Sequence, residues 1–169
     1  MKRAWVYAIS AVVVVTAGVW LLPHAPRAEK EQETEATLSP LDQKVQEAVA
    51  IIQSQEGNPM EAIFKLREVV QEDPNHRDAQ FYLGQFSMMS GQWEKAVERF
   101  QIVLTIRPDD EVAAESLAQS LANAGRVEGA IQHLESFLTQ YPNTPRASEL
   151  KAALEALQSG LATEAKKIQ

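Results

Sequence analysis

Apolar positions divide the chain into three stretches. Residues 4–22 form a run of 19 without a charge, and residues 23–39 hold one large apolar side chain, Leu38. From Pro40 onward apolar residues return at the spacing of helices that face a core on one side. Ala79, Leu83, Phe86 and Met89 make one such stripe, and Ala96, Val97, Phe100, Val103 and Leu104 make a second after Gly91. Each stripe predicts an amphipathic helix. Three residue types obey a period of 34: Gly57, Gly91 and Gly125; Ala62, Ala96 and Ala130; Pro74, Pro108 and Pro142. Their order and offsets are the same in all copies, which predicts an all-α fold of three stacked helix-turn-helix units. The glycine gives a permissive backbone where the first helix stops, the small alanine lets the second helix approach closely, and the proline ends that second helix. Ser39-Pro40-Leu41-Asp42 and Asn58-Pro59-Met60-Glu61 read as helix starts, each with a capping side chain, a proline at the first helical position and a following carboxylate. Thr144-Pro145 repeats the first two elements.

These features resemble the tetratricopeptide repeat (TPR), a 34-residue helix pair with the signature W-x2-L-G-x2-Y, then A-x3-F, then P. The middle copy carries Leu83-Gly84, Ala96, Phe100 and Pro108 at those places. It departs at the first aromatic, where Gln46, Gln80 and Ala114 stand, and at the tyrosine, where Gln53, Ser87 and Leu121 stand. The outer copies have Val49-Ala50 and Leu117-Ala118 for Leu-Gly, and Leu66 and Leu134 for the phenylalanine. The resemblance implies repeats over about 43–76, 77–110 and 111–144 in a short right-handed solenoid. A capping helix over 145–158 would close it, with Ala147, Leu150, Leu154 and Leu157 facing the last repeat.

The resemblance also implies a protein-binding groove lined mainly by the first helix of each repeat. The family's groove positions fall on Lys44, Glu47, Ile51, Ser54 and Gln55 in the first copy and on Asp78, Phe81, Gln85, Met88 and Met89 in the second. In the third they fall on Val112, Glu115, Gln119, Ala122 and Asn123. Phe81 and Met88 would serve as apolar anchors, while Gln85, Gln119 and Asn123 could pair with an extended peptide backbone. The other reading of Phe81, Tyr82 and Met89 is burial between helices. Family members that clamp a partner's C-terminal carboxylate use basic residues and asparagine where this chain has Glu47, Ile51, Tyr82, Val112 and Ser116, so that clamp is not expected.

As a helix, the uncharged run over 4–22 would span about 28 Å, enough to cross a membrane. Lys2 and Arg3 precede it, and Glu29, Glu31, Glu33 and Glu35 follow against only Arg27 and Lys30. The positive-inside bias therefore predicts a cytoplasmic N-terminus and an extracytoplasmic remainder at an inner or plasma membrane, with Trp5, Tyr7 and Trp20 as interfacial anchors. A cleaved signal peptide is the rival, but the apolar run is long and the exit lacks a good small-x-small site. On this reading 1–22 is a signal anchor, 23–39 a disordered acidic tether and 40–169 the repeat domain.

Composition narrows the chemistry. With 16 Lys plus Arg against 23 Asp plus Glu, the net charge of −7 disfavours nucleic acid as the main partner. No cysteine is present, so thiol chemistry and thiolate metal sites are excluded. His24, His76 and His133 form no metal-ligand spacing, and a structural or solvated role is expected for His133. Asp109-Asp110-Glu111 lacks the spacing of a calcium loop and fits a helix start, where acidic groups complement the dipole. Phosphate loops and a nucleophile elbow are missing. No enzyme activity, cofactor, metal or small-molecule substrate is expected. The expected partners are proteins and a membrane, with the chain acting as an anchored adaptor or scaffold, an accessory subunit of a membrane complex. A translocon-associated chaperone-like factor and a cytochrome c maturation or envelope assembly factor are the alternatives.

Overall fold

In the computed structural model, residues 38–54 and 57–167 are described, within a unit that begins at Leu38. The expected span over 4–22, its Trp5, Tyr7 and Trp20, most of the acidic tether and Gln55 lie outside the described residues. Seven α-helices make up what is described: α1 Pro40–Gln53, α2 Pro59–Glu72, α3 Arg77–Met89, α4 Trp93–Ile106, α5 Glu111–Asn123, α6 Val127–Gln140 and α7 Ala147–Lys167.

Capping chemistry sets these boundaries. The Ser39 hydroxyl accepts from the Asp42 amide at 3.1 Å and the Asn58 amide oxygen from Met60 at 3.0 Å, with Pro40 and Pro59 opening their helices. At the ends of α3 and α5 the chain turns through left-handed Gly91 and Gly125, at φ 68° and 78°. The amides of Gly91 and Gln92 return to Met88 and Ser87 at 3.0 and 2.8 Å, which satisfies carbonyls the helix leaves open. Gly57 behaves differently from its two counterparts. Its φ is not positive, and it is required by crowding, because a Cβ there would stand 2.6 Å from the Ile51 Cγ2. Pro74, Pro108 and Pro142 each follow the second helix of a unit by two residues. The intervening Asp73, Arg107 and Tyr141 leave the helical conformation, as a residue before proline must.

Each first helix packs on its own second helix, each second helix on the next first helix, and α3 also touches α5. First helices therefore line one face and second helices the other. Ala62, Ala96 and Ala130 are fully buried at the close approaches. The core forms two clusters that meet at α3. Ala79 and Leu83 join Leu66 and Val69 of the first unit, whereas Phe100, Val103, Leu117, Leu134 and Phe137 build the second. Gly84 is the contact glycine of the middle unit, for a Cβ there would sit 2.8 Å from the Phe100 ring.

Two expectations are corrected at the ends of helices. The stripe in α3 stops at half-buried Phe86, and Met89 beyond it is 81% exposed. The last helix begins at Ala147 rather than Pro145 and extends to Lys167. Thr144 does not cap it in the expected way, because its hydroxyl is donated to Glu111 of α5, whose carboxylate also accepts the Arg146 amide at 2.8 Å. Leu150 is buried against α6, with Leu154 and Leu157 half-buried beside it.

Candidate functional site

The first helices place the expected groove residues in three settings. In α1, Glu47 is drawn to Lys65 of α2 at 2.8 Å, and Lys44 reaches Glu68 at 3.2 Å. The hydrogen bond from Lys65 holds the Glu47 carboxyl below its ordinary range, and that to Glu68 holds the Lys44 ammonium above its own. Ile51 is half-buried against the first cluster. In α3, Phe81 and Met88 pack partly against the second cluster. The Phe81 ring meets Phe100 edge-on at 5.8 Å and lies under the Arg77 guanidinium at 4.9 Å. Gln85 donates to the Ser116 hydroxyl of α5 at 3.3 Å, which ties these two first helices together. In α5, Glu115 is paired with Arg146 at 2.7 Å, while Gln119 and Asn123 are exposed. The Asn123 amide donates locally to the Gln119 carbonyl at 2.8 Å. Phe81, Gln85 and Met88 are thus brought together on α3 toward the following repeat, and Glu47 and Glu115 are held by cations.

The sequence pattern does not single out the row of polar side chains that links successive first helices. His76 Nε2 lies 3.1 Å from Asp42, Arg77 Nε donates to Asp110 at 3.0 Å, and Glu111 takes Thr144 and the Arg146 amide. These partners stand 33 to 35 residues apart, so the repeat period itself is the signal that could have found them. Asp110 is buried and accepts from the Ala113 amide at 3.0 Å, as an acidic helix start should. Burial pushes the Arg77 guanidinium down, but its hydrogen bonds to Asp78 and Asp110 outweigh this and raise it above its ordinary value. Among the described residues no group of three or more His, Asp or Glu could hold a metal ion.

On the opposite face a cleft of about 570 Å³ runs between α2 and α4, with the C-terminal half of α3 as its floor. A second cleft of about 400 Å³ lies one unit on, between the middle and C-terminal parts of α4 and α6 beside Leu117 of α5. Sequence reasoning did not reach either, because a cleft between second helices belongs to no single helix's pattern.

Helix pairs of this length, with the contact glycine at Gly84, left-handed glycines at two turns and a proline after each second helix, define a known repeat. The tetratricopeptide repeat family model matches residues 53–115 and 91–154, which together cover more than half of the chain. The chain belongs to the tetratricopeptide repeat family. Over 70 residues, 41% of its length, this TPR protein is 36% identical to the peroxisomal targeting signal receptor of Eremothecium gossypii. The match covers only 12% of that relative. Among solved structures, it is similar to the type III secretion translocator chaperone SycD of Yersinia enterocolitica, with a TM-score of 0.63 and 17% identity over 72% of this chain and 86% of that one. The CopN-Scc3 complex gives a TM-score of 0.60 at 18% identity, over 83% of this TPR chain and 84% of that chain. At such identities the likeness to the solved structures shows the fold alone.

Proposed function

We propose that this TPR protein is a membrane-anchored adaptor whose repeats stand on the extracytoplasmic side and hold other proteins at the membrane surface, as an accessory subunit of a membrane assembly. The observation that carries this reading is the joining of a protein-binding repeat fold to the uncharged run over 4–22, with Lys2 and Arg3 before it and four glutamates after it. Among the described residues no helix is long and apolar enough to cross a membrane, so anchoring rests on that run. Fixing the module to the bilayer raises its effective concentration beside membrane partners, which makes modest contacts useful. A second, chaperone-like reading draws on exposed Met60, Phe64 and Met89, since a flexible apolar surface suits many clients. The fold shared with SycD is compatible with it.

A photo-crosslinking residue at Gln119 or Val112, both exposed on α5, tests the adaptor reading in the full chain in intact cells. One or two adducts in high yield support a dedicated subunit, and a ladder of newly exported proteins supports the chaperone. Absence of adducts at both positions, or complete release of the chain from membranes by alkaline carbonate, overturns the proposal.

A further inference from the structure

The two clefts between second helices share three positions of the repeat: Arg67, Leu83 and Arg99 of the first stand where Gln101, Leu117 and His133 stand in the second. Moving Met60 and Met89 on by 34 gives Glu94 and Asn123, neither of which lines the second cleft. The first cleft is therefore cationic at two positions where the second carries Gln101 and His133, and one carboxylate, Glu98, lines it as well. Its apolar side chains remain open to solvent, for Met60 is 48% and Met89 81% exposed.

Three cations, Arg67, Lys95 and Arg99, line the first cleft against the single carboxylate of Glu98. Arg67 and Lys95 are exposed, Arg99 is half-buried, and none of the three makes an ion pair within the described residues. Arg99 instead donates to the Gln80 side-chain oxygen at 2.5 Å, and Lys95 to that of Gln92 at 2.7 Å. Burial lowers the Arg99 guanidinium from its usual value, Glu98 opposes this and the charge of Arg67 adds to it. Two guanidiniums on neighbouring helices thus repel one another across an apolar cleft in a chain whose net charge is −7. An arrangement of this kind is relieved by a carboxylate entering between them.

We infer that the cleft between α2 and α4 is a second protein-docking site, which takes an acidic amphipathic helix of a partner protein. The partner's apolar side chains lie over Met60, Ile63, Phe86 and Met89, and its carboxylates meet Arg67, Arg99 and Lys95, the helix-in-groove mode with charge setting the register. The chain's own acidic segment over 23–37 is a poor occupant, because it carries no Leu, Ile, Val, Met or Phe to fill the apolar floor. This site is separate from the first-helix groove, so either can fail without the other.

The test is a fluorescence-anisotropy titration of the full chain in mild detergent. The probe is a labelled 18-residue helical peptide with leucine at every third and fourth position and glutamate between, compared with its lysine counterpart. The glutamate peptide is expected to bind and the lysine peptide not. Arg67→Glu and Lys95→Glu, both exposed, are expected to weaken binding at least about tenfold each while the circular-dichroism melt is unchanged. Gln119→Ala, in the first-helix groove, is expected to leave it alone. Equal binding of the two peptides, or indifference to Arg67→Glu, overturns the proposal. Binding that appears only after deletion of residues 27–36 also overturns it, by giving the cleft to the chain's own tether.

Discussion

The cleft between α2 and α4 and the cleft between α4 and α6 each lie where two second helices flank a first helix, yet the helices beneath them pack with different side chains. In the first, Phe100 presses its ring against a bare backbone at Gly84. One period on, Leu134 and Ala118 stand at the same positions, a smaller side chain facing a larger one, and both are buried. Beside this the first cleft has Gln80 between the Pro74 carbonyl at 2.6 Å and the Arg99 guanidinium at 2.5 Å. The second has Ala114 at that position, and His133 reaches the Ala114 backbone carbonyl at 3.1 Å. A buried polar bridge in one unit is replaced by a small apolar residue and an imidazole in the next. The backbone repeat thus tolerates exchange only of matched pairs, and mutations that break a pair should cost more than mutations that exchange it.

The largest effect should come from the aromatic pair. Phe100→Ala removes a fully buried ring that also supports Phe81, and about 3–5 kcal/mol of stability should be lost in urea unfolding. Gly84→Ala alone overpacks the same contact and should cost about 1–3 kcal/mol. The double variant Gly84→Ala/Phe100→Leu imports the pair of the third unit and should recover most of that loss. Losses that merely add would break the argument from matched pairs.

Next in size is the polar bridge. Gln80→Ala leaves the Pro74 carbonyl and one face of Arg99 without a partner, at a cost of about 1–3 kcal/mol. Adding Arg99→His should reduce the loss, since the imidazole can turn to the backbone carbonyl as His133 does. A double-mutant cycle reads the coupling, and a coupling energy of zero would mean that the two residues do not form a unit.

Much of this architecture was legible from the period alone, and the exceptions share a cause. Left-handed Gly91 and Gly125, buried Ala62, Ala96 and Ala130 and the prolines after the second helices are local requirements, so each leaves its mark within a few residues. Gly57 keeps its place in the period but answers to crowding against Ile51, which only the folded turn reveals. Met89 continues the apolar stripe of α3, yet no neighbouring helix lies over it. Its counterpart Asn123 already shows that the position faces solvent. The sequence points to Pro145 as the start of α7 because the carboxylate that organises the turn, Glu111, is 33 residues away from Thr144. Of the groove candidates, the positions could be named but not their partners. Lys65, Ser116 and Arg146 occupy Glu47, Gln85 and Glu115 through contacts that cross between helices.

The two clefts should also separate in their response to acid. Burial lowers the His133 imidazole from its ordinary 6.5, against the opposing hydrogen bond to Ala114. The unfolded chain therefore takes up a proton at a pH where the folded chain resists it. The stability that follows is fully present above 6.5 and is lost as pH falls through the lowered folded value. Urea midpoints measured from pH 7.5 to 5 should fall more steeply in the wild type than in His133→Gln. Arg99 stays charged throughout that window and should contribute no slope. An equal slope in the two proteins would mean that burial does not hold the imidazole neutral.

The smallest effect is expected where the first cleft is converted toward the second at its rim. Arg67→Gln installs the residue found at Gln101, on an exposed position with no ion pair among the described residues. Its effect on the urea midpoint should lie within about 0.5 kcal/mol, the usual range for a surface change. Its sign carries the information, because removing one of two repelling guanidiniums should stabilise the fold slightly, more at low salt than at high salt. A retained Arg67 then has no structural reason, and the charge stands at the cleft at a small cost to the fold. If Arg67→Gln instead destabilises the chain at low salt, Arg67 is held by a carboxylate after all, and the contrast between the two clefts reduces to their packing.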